Sequence, residues 1–119
     1  MALNKVVEGL TWTAEASADL RTHLNKFVTI GASGAALPSA AAIAVGVIIE
    51  VNLNGSSPYG PVTIQTGGVA KVDSGGSISA GAEVEAGNNG VAVALNAGKS
   101  LGIALNAAET GEVVSVLLK

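Results

Sequence analysis

The sequence of 119 residues contains no cysteine, a single histidine, and one residue each of Trp, Tyr and Phe. Without cysteine the chain can form no disulfide and no thiolate metal site. The one histidine, His23, lies near Arg21 and Lys26, where a solvated side chain is more common than a base or a ligand. It has no evident nucleophile or orienting carboxylate, which a catalytic role would need. We therefore expect no catalytic residue, no metal and no organic cofactor.

Charge is scarce as well, since only 13% of the residues are charged and six Lys and Arg give a net charge of −3. Phosphate binding needs clustered basic residues, so nucleic acid is not an expected partner. The apolar run of residues 40–49 is too short for a bilayer, which needs about 20 residues. Glu8 interrupts the only apolar stretch that resembles a signal peptide. We expect a soluble protein, made without export and without a membrane partner.

Large apolar side chains are also few, because aromatic residues make up 3% of a chain that is 49% hydrophobic. A core of Val, Ile, Leu and Ala buries less area per side chain than an aromatic core, which leaves a thin margin over chain entropy at about 25 cal/mol per Å². Few charges also remain to cover the surface. This composition predicts that part of the surface is an interface, for which self-association is a natural use.

Short alternating apolar runs are what the sequence does contain, as in Val91, Val93 and Leu95 or in Val114, Val116 and Leu118. A period of two is typical of strands with one buried face. Gly, Asn and Ser separate these runs at intervals of about ten residues. The pattern predicts an all-β fold: a small barrel or sandwich of short antiparallel strands, with seven to nine strands in a single domain.

The sequence also indicates an internal duplication. Residues 27–34 match residues 83–90 at an offset of 56, and the same offset places Gly46 on Gly102. With a longer loop in the first copy, residues 61–64 fall opposite residues 112–115. We predict pseudo-repeats at about 27–66 and 83–118 within one β domain, residues 27–119. Chance similarity among common residues is the alternative.

Residues 1–26 find no counterpart in this repeat and are interpreted as an extended N-terminal arm. Ser17 could cap a short helical turn that aligns Leu20, Leu24 and Phe27. Trp12 would anchor the arm on another chain, or alternatively fill the core of its own subunit. Glu83 and Glu85 alternate along one strand, where exposed carboxylates usually keep an edge soluble.

Two families resemble parts of the chain. Residues 68–72 and 76–84 are similar to the half-motif of biotinyl and lipoyl carrier domains, which are two-copy β folds with a modifiable lysine at a hairpin tip. The tip here, residues 87–90, has no lysine, and Lys71 and Lys99 lie on or beside strands. A carrier domain, or another small β binding module, is therefore the alternative function.

A wider resemblance covers some hundred residues. Residues 19–20, 27–28, 46–48, 68–72, 78–81, 102–105 and 111–118 look like the head decoration, or capsid cement, proteins of tailed bacteriophages. This resemblance implies a virion protein, commonly trimeric, that is made in the host cytoplasm. Such proteins bind the major capsid protein on the outer surface of an expanded icosahedral shell and stabilise it. Candidate contacts with the capsid or between subunits are Lys5, Leu10, Trp12, Arg21 and Tyr59.

Overall fold

The computed structural model describes residues 11–51 and 60–119, which form ten strands and one 3-10 turn, Asn88–Gly90. The strands are β1 (Thr11–Glu15), β2 (Phe27–Gly31), β3 (Gly34–Ala36), β4 (Gly46–Val51), β5 (Pro61–Gln65), β6 (Val69–Asp73), β7 (Glu83–Ala86), β8 (Ala92–Ala94), β9 (Gly102–Ala104) and β10 (Val113–Leu118). No α-helix occurs in the described ranges. The predicted all-β class is confirmed.

The strands form two five-stranded antiparallel sheets of identical order. The first half of the molecule, β1 to β5, has the order β1-β5-β4-β2-β3, and the second half, β6 to β10, has the order β6-β10-β9-β7-β8. In each sheet one parallel bridge links the residue that follows the first strand to the strand at the opposite edge of the sheet. The bridge joins Ala16 to Ala35 of β3 in the first half, and Ser74 to Ala92 of β8 in the second. The second half therefore repeats the topology of the first.

The register of the strands repeats as well. Val28 pairs with Gly46 in the first half, and Val84 pairs with Gly102 in the second, which is the predicted offset of 56. A Cβ at Gly46 would lie 2.3 Å from the carbonyl oxygen of Gln65, and a Cβ at Gly102 would lie 2.3 Å from that of Leu117. The two glycines thus occupy equivalent positions, where only a residue without a side chain lets the neighbouring strand approach this closely.

Two parts of the repeat differ from the sequence-based alignment. Val62 and Ile64 correspond to the buried Val114 and Val116, so the last strands align at an offset of 52 and not at the predicted 51. In addition, β1 corresponds to β6, because Ala14 pairs with Val62 as Val72 pairs with Val114. Each repeat consequently begins one strand earlier than predicted.

Each half has its own apolar core, and the two cores are built from equivalent positions. The first contains Ala16, Leu20, Val28, Ala35, Ile48, Val62 and Ile64. The second contains the equivalent Ile78, Val84, Ala92, Ala104, Val114 and Val116, among others. Phe27 and Val47 belong to the first half by sequence but pack in the second core. These two side chains join the halves.

The prediction of an unpaired N-terminal arm is wrong for residues 11–26, the part of the arm that the structure describes. Residues 11–15 are not an unpaired segment but the strand β1, which pairs with β5 along its whole length. Residues 17–26 form turns and no helix. The hydroxyl of Ser17 donates to the carbonyl of Ala35 at 3.1 Å and caps no helix. Leu20 is buried in the first core, as Ile78 is in the second, so burial of one side chain fixes this segment.

Candidate interaction surface

Of the five candidate contact residues, Trp12 and Arg21 lie in the described part of the chain, whereas Lys5, Leu10 and Tyr59 lie outside it. Trp12 lies in β1 opposite Ile64 and is 49% exposed. Trp12 therefore belongs to a paired strand of its own subunit, but its side chain is not part of the buried core. Arg21 lies in the turn that follows β1, on a different segment from Trp12.

Arg21 is already paired within the chain. Its Nε and Nη2 atoms donate to the two carboxylate oxygens of Asp19, both at 3.0 Å. The side-chain and backbone N–H groups of Arg21 lower the pKa of Asp19 to about 2. A bidentate pair of this kind is geometrically defined but, being exposed, contributes little to stability. A partner at this position would meet a neutralised pair rather than a free cation.

The second sheet has an exposed row of apolar side chains across three adjacent strands. Val69 in β6 pairs with Leu117 in β10, which pairs with Ile103 in β9. They are 52%, 45% and 36% exposed. Neighbours in register across strands have their side chains on the same face, so these three form one continuous strip. We call it the exposed row.

The exposed row ends at an ion pair. Ile103 pairs in register with Glu83 of β7. The Lys119 Nζ atom donates to the Glu83 carboxylate at 3.0 Å. Hydrogen bonds from Ser100 and Lys119 lower the pKa of Glu83, so the carboxyl is charged at neutral pH. An apolar strip with a charged rim is the usual composition of a protein interface.

In the first half, the positions equivalent to Ile103 and the adjacent Glu83 are buried, whereas Thr11 and Gln65, the equivalents of Val69 and Leu117, are exposed and half-buried. In that sheet Val47 and Phe27 occupy the positions of Ile103 and Glu83. Phe27 is 1% exposed and Val47 is fully buried, because the second half covers both. The end of this face that carries Phe27 and Val47 is thus covered inside the molecule, whereas the equivalent end with Glu83 and Ile103 is open to solvent.

Polar contacts fix the junction between the halves. The backbone N–H of Asp73 donates to the carbonyl of Asn25, and that of Ala41 donates to Ala86, each at 2.8 Å. Lys26 of the first half forms an ion pair with Asp73 of the second. A Cβ on Gly90 would lie 2.4 Å from the carbonyl oxygen of Phe27, so the two backbones are in close contact there. The junction is a packed interface and not a loose linker.

A cleft of about 200 Å³ opens along one side of this junction. Both halves line the cleft. The first half contributes Phe27, Ile43, Ala44, Val45, Gly46 and Thr66, and the second contributes Lys99, Ser100, Leu101, Leu118 and Lys119. The lining combines apolar side chains with two lysines.

The carboxylate of Glu85 has a structural role that the sequence did not reveal. It was predicted to face solvent beside Glu83, but it is only 5% exposed. One of its oxygens accepts the backbone N–H groups of Asn96 and Gly98, at 2.7 and 2.8 Å. These two bonds lower the pKa of Glu85, because they stabilise its charged form. Glu85 therefore holds the turn between β8 and β9 and is not a free acid.

The remaining reactive side chains do not converge. His23 lies in a turn, where its backbone N–H donates to the carbonyl of Leu20 at 3.1 Å. Within residues 11–51 and 60–119 no cluster of three or more His, Cys, Asp or Glu residues could hold a metal ion. In the same ranges no helix is long and apolar enough to span a bilayer. Lys71 is exposed in the middle of β6, opposite Ser115.

Sequence reasoning did not identify the exposed row, although a signal was present. β10 reads Val-Val-Ser-Val-Leu-Leu, so it has apolar residues on both faces. One face is buried in the second core and the other contributes Leu117 and Val113 to the surface. A strand that is apolar on both faces indicates either a covered sheet or an interface.

No protein-family model matches the chain, and no curated protein matches it. Among solved structures, its fold is similar to that of the head fiber gp8.5 N base of bacteriophage phi29, with a TM-score of 0.73. The two sequences are 18% identical, and the match covers 92% of each chain. At this level of identity the likeness establishes a common fold, which extends over both halves of the molecule.

Proposed function

We propose that the chain is a structural protein of a bacteriophage virion, and specifically a head decoration protein. In this proposal it binds the major capsid protein on the outer surface of an expanded icosahedral shell, as a homotrimer, and stabilises the shell. It is made in the host cytoplasm. The observation that carries the proposal is the fold likeness to a phage head fiber base over 92% of both chains. The sequence resemblance to decoration proteins supports the same assignment independently.

The surface chemistry is in keeping with this role. The outer face of the second sheet exposes Val69, Ile103, Leu105, Val113 and Leu117, each at least 36% accessible. Contiguous exposed apolar surface often marks a binding site for another protein. Binding sites in multi-copy assemblies use such faces. The low charge of the chain also reduces the desolvation cost of burying surface against another protein.

Stabilisation of the shell would follow from mass action. A protein that binds only the assembled lattice stabilises it by about 2.7 kcal/mol per site at a free concentration 100 times its Kd. Many identical sites on one shell add this contribution many times. No chemical step is required. We propose accordingly that the protein has no enzymatic activity.

Binding can be measured with capsids of the phage whose genome encodes the chain, prepared from a mutant that lacks this gene. Purified protein is mixed with expanded heads and with unexpanded precursors, and both are sedimented. We expect saturable binding to expanded heads and a higher disruption temperature of the decorated heads. Failure to bind either form would overturn the capsid assignment. Equal binding to both forms would overturn the preference for the expanded shell.

Native mass spectrometry of the purified protein tests the expectation that it carries no metal and no organic cofactor. We expect the mass of the unmodified chain, without a stoichiometric metal. A covalent biotinyl or lipoyl mass on Lys71 or Lys99 would instead support a carrier domain. A stoichiometric bound metal would equally contradict the proposal.

A further inference from the structure

Two equivalent positions differ in burial between the two halves, and this difference indicates a contact with a second copy of the chain. In the first half, Phe27 and Val47 are buried by the second half of the same chain. In the second half, the equivalent positions Glu83 and Ile103 remain exposed, together with Val69 and Leu117. We infer that the end of the exposed row formed by Ile103, with the adjacent Glu83, is covered by the first half of a second copy of this chain, in a head-to-tail arrangement.

The equivalence between the two halves also predicts which strand of the second copy contacts β9. Inside the molecule, β4 lies against β6, and Val47 shares a core with Ala70 of β6. The equivalent strands are β9 and β1, so β9 of one copy would lie against β1 of the next. Trp12 occupies the position of Ala70 in β1. It is 49% exposed, whereas Ala70 is buried.

A second residue of the first half is exposed although its equivalent in the second half is buried. The backbone carbonyl of Ala86 in β7 accepts the N–H of Ala41 at the junction, and its side chain is fully buried. Ile30 occupies the equivalent position in β2 and is 38% exposed. The first half therefore presents apolar side chains at positions that are covered in the second half.

The aromatic side chains lie on opposite sides of the two contacts. Within the molecule, the large Phe27 packs in the same core as the small Ala70 and Ala86. Between copies, Trp12 and Ile30, which occupy the positions of Ala70 and Ala86, would meet Ile103 and the adjacent Glu83. The aromatic residue thus comes from β2 in the contact within the molecule and from β1 in the contact between copies.

The symmetry of the contact has a defined consequence. The exposed row lies on the second half and its partner surface lies on the first half, so every copy carries one of each. Contacts of this kind are heterologous: they close into a ring when the rotation between copies permits, and extend as a chain when it does not. A two-fold dimer, in which the exposed row would face itself, is the alternative arrangement.

Self-association can be measured by sedimentation of the full chain across a range of concentrations. The central variant is Ile103→Lys, in which a lysine is placed beside Glu83. Its matched control is Val113→Lys on the same outer face. Val113 is 45% exposed, and its counterpart Pro61 stays exposed in the first half, so neither copy should cover it. We expect Ile103→Lys to weaken association by about 30-fold or more, the size of an interface hot spot, and Val113→Lys to leave it unchanged.

Mixing two variants distinguishes the head-to-tail contact from a two-fold dimer. Ile103→Lys retains an intact Trp12 surface, and Trp12→Lys retains an intact exposed row. Each alone should remain monomeric, but an equimolar mixture should form a one-to-one dimer through the single intact contact. Circular dichroism and a cooperative melt check that both variants fold, and Leu117→Lys replaces Ile103→Lys if it does not. A wild-type monomer at all concentrations, equal weakening by Val113→Lys, or failure of the mixture to pair would each overturn the inference.

Discussion

Replacing Gly102 with alanine tests the duplicated strand packing with the smallest possible change. The added Cβ would lie 2.3 Å from the Leu117 carbonyl oxygen and 2.7 Å from the Val116 Cγ1 atom. Ordinary contacts of a Cβ are 3.4–4 Å, so β9 and β10 would have to separate locally. Overpacking of this kind costs about 1–3 kcal/mol. Each ladder hydrogen bond that is weakened by the separation contributes about 0.5–1.5 kcal/mol more.

The expected total is about 2–4 kcal/mol, which corresponds to a fall in Tm of about 10 °C for a chain of this size. Gly46→Ala should cost a similar amount, because its Cβ would meet Gln65 and Ile64 at 2.3 and 2.6 Å. The matched control is Gly76→Ala, since no atom lies within 4 Å of a Cβ there. That variant should melt close to the wild type.

The measurement is denaturant unfolding followed by circular dichroism at one fixed protein concentration, so that self-association does not differ between samples. Equal losses at Gly46 and Gly102, with none at Gly76, are the expected result. If Gly102→Ala unfolds within about 0.5 kcal/mol of the wild type, a value typical of a surface substitution, the close packing of β9 on β10 is wrong. A loss at only one of the two sites would contradict their equivalence.

Three further predictions concern single side chains. Glu85→Ala should lower the Tm, because the N–H groups of Asn96 and Gly98 lose their acceptor. The lowered pKa of Glu85 stabilises the fold above the unfolded value of about 4.5, and this contribution disappears as pH falls through the folded pKa, so Glu85→Gln should flatten the acid limb of a stability profile. Phe27→Ala should cost about 3–5 kcal/mol in denaturant unfolding, since it empties the site that joins the two halves. Lys26→Met should cost about 1–2 kcal/mol by leaving the Asp73 carboxylate unpaired, and a second change, Asp73→Asn, should recover part of that loss.

Each of these has a result that would contradict it. A Glu85→Gln variant whose acid limb remains as steep as that of the wild type would show that other carboxyls control acid stability. A Phe27→Ala variant that unfolds in two separate transitions would show that the halves are independent domains. A loss for Lys26→Met that is not reduced at all by Asp73→Asn would show that the lysine acts through packing alone.

The alternation of apolar residues was sufficient to predict the strands and the all-β class, because most strands have one buried face. The offset of 56 was sufficient to equate Gly46 with Gly102, since glycine is required at both positions by the same close approach. The last strand was misplaced by one residue. Val113 was aligned with Val62, although Val113 is exposed and Val114 is buried. A run of consecutive valines carries no information on which of them faces the core.

The pairing of β1 could not be predicted from sequence. β1 and β6 are equivalent in register, but Thr-Trp-Thr-Ala-Glu and Val-Ala-Lys-Val-Asp share no residue at any position. The first is also mostly exposed, so its pattern reflects the surface rather than a core. The helical turn at Ser17 was predicted from local capping and spacing. The tertiary contact of Leu20 and the hydrogen bond to Ala35 outweigh those local preferences.

The candidate surface was predictable only in part. The shortage of charge predicted an interface without locating it, and Trp12 was identified because it is the only tryptophan. The exposed row depends on the register of three strands that are distant in sequence, and the inferred contact depends on Val47 and Phe27, the buried counterparts of Ile103 and Glu83. Strand register and the burial of equivalent positions are both known only from the three-dimensional structure of the two halves.

Cryo-electron microscopy of virions assembled from the genome that encodes this chain tests the assignment most directly. The proposed function predicts density for the two-sheet fold on the outer surface of the expanded capsid, in contact with the major capsid protein. The Ile103 end of the exposed row of each copy should lie against the first half of its neighbour. Density for this fold in the tail or inside the head, or its absence from purified virions, would contradict the assignment.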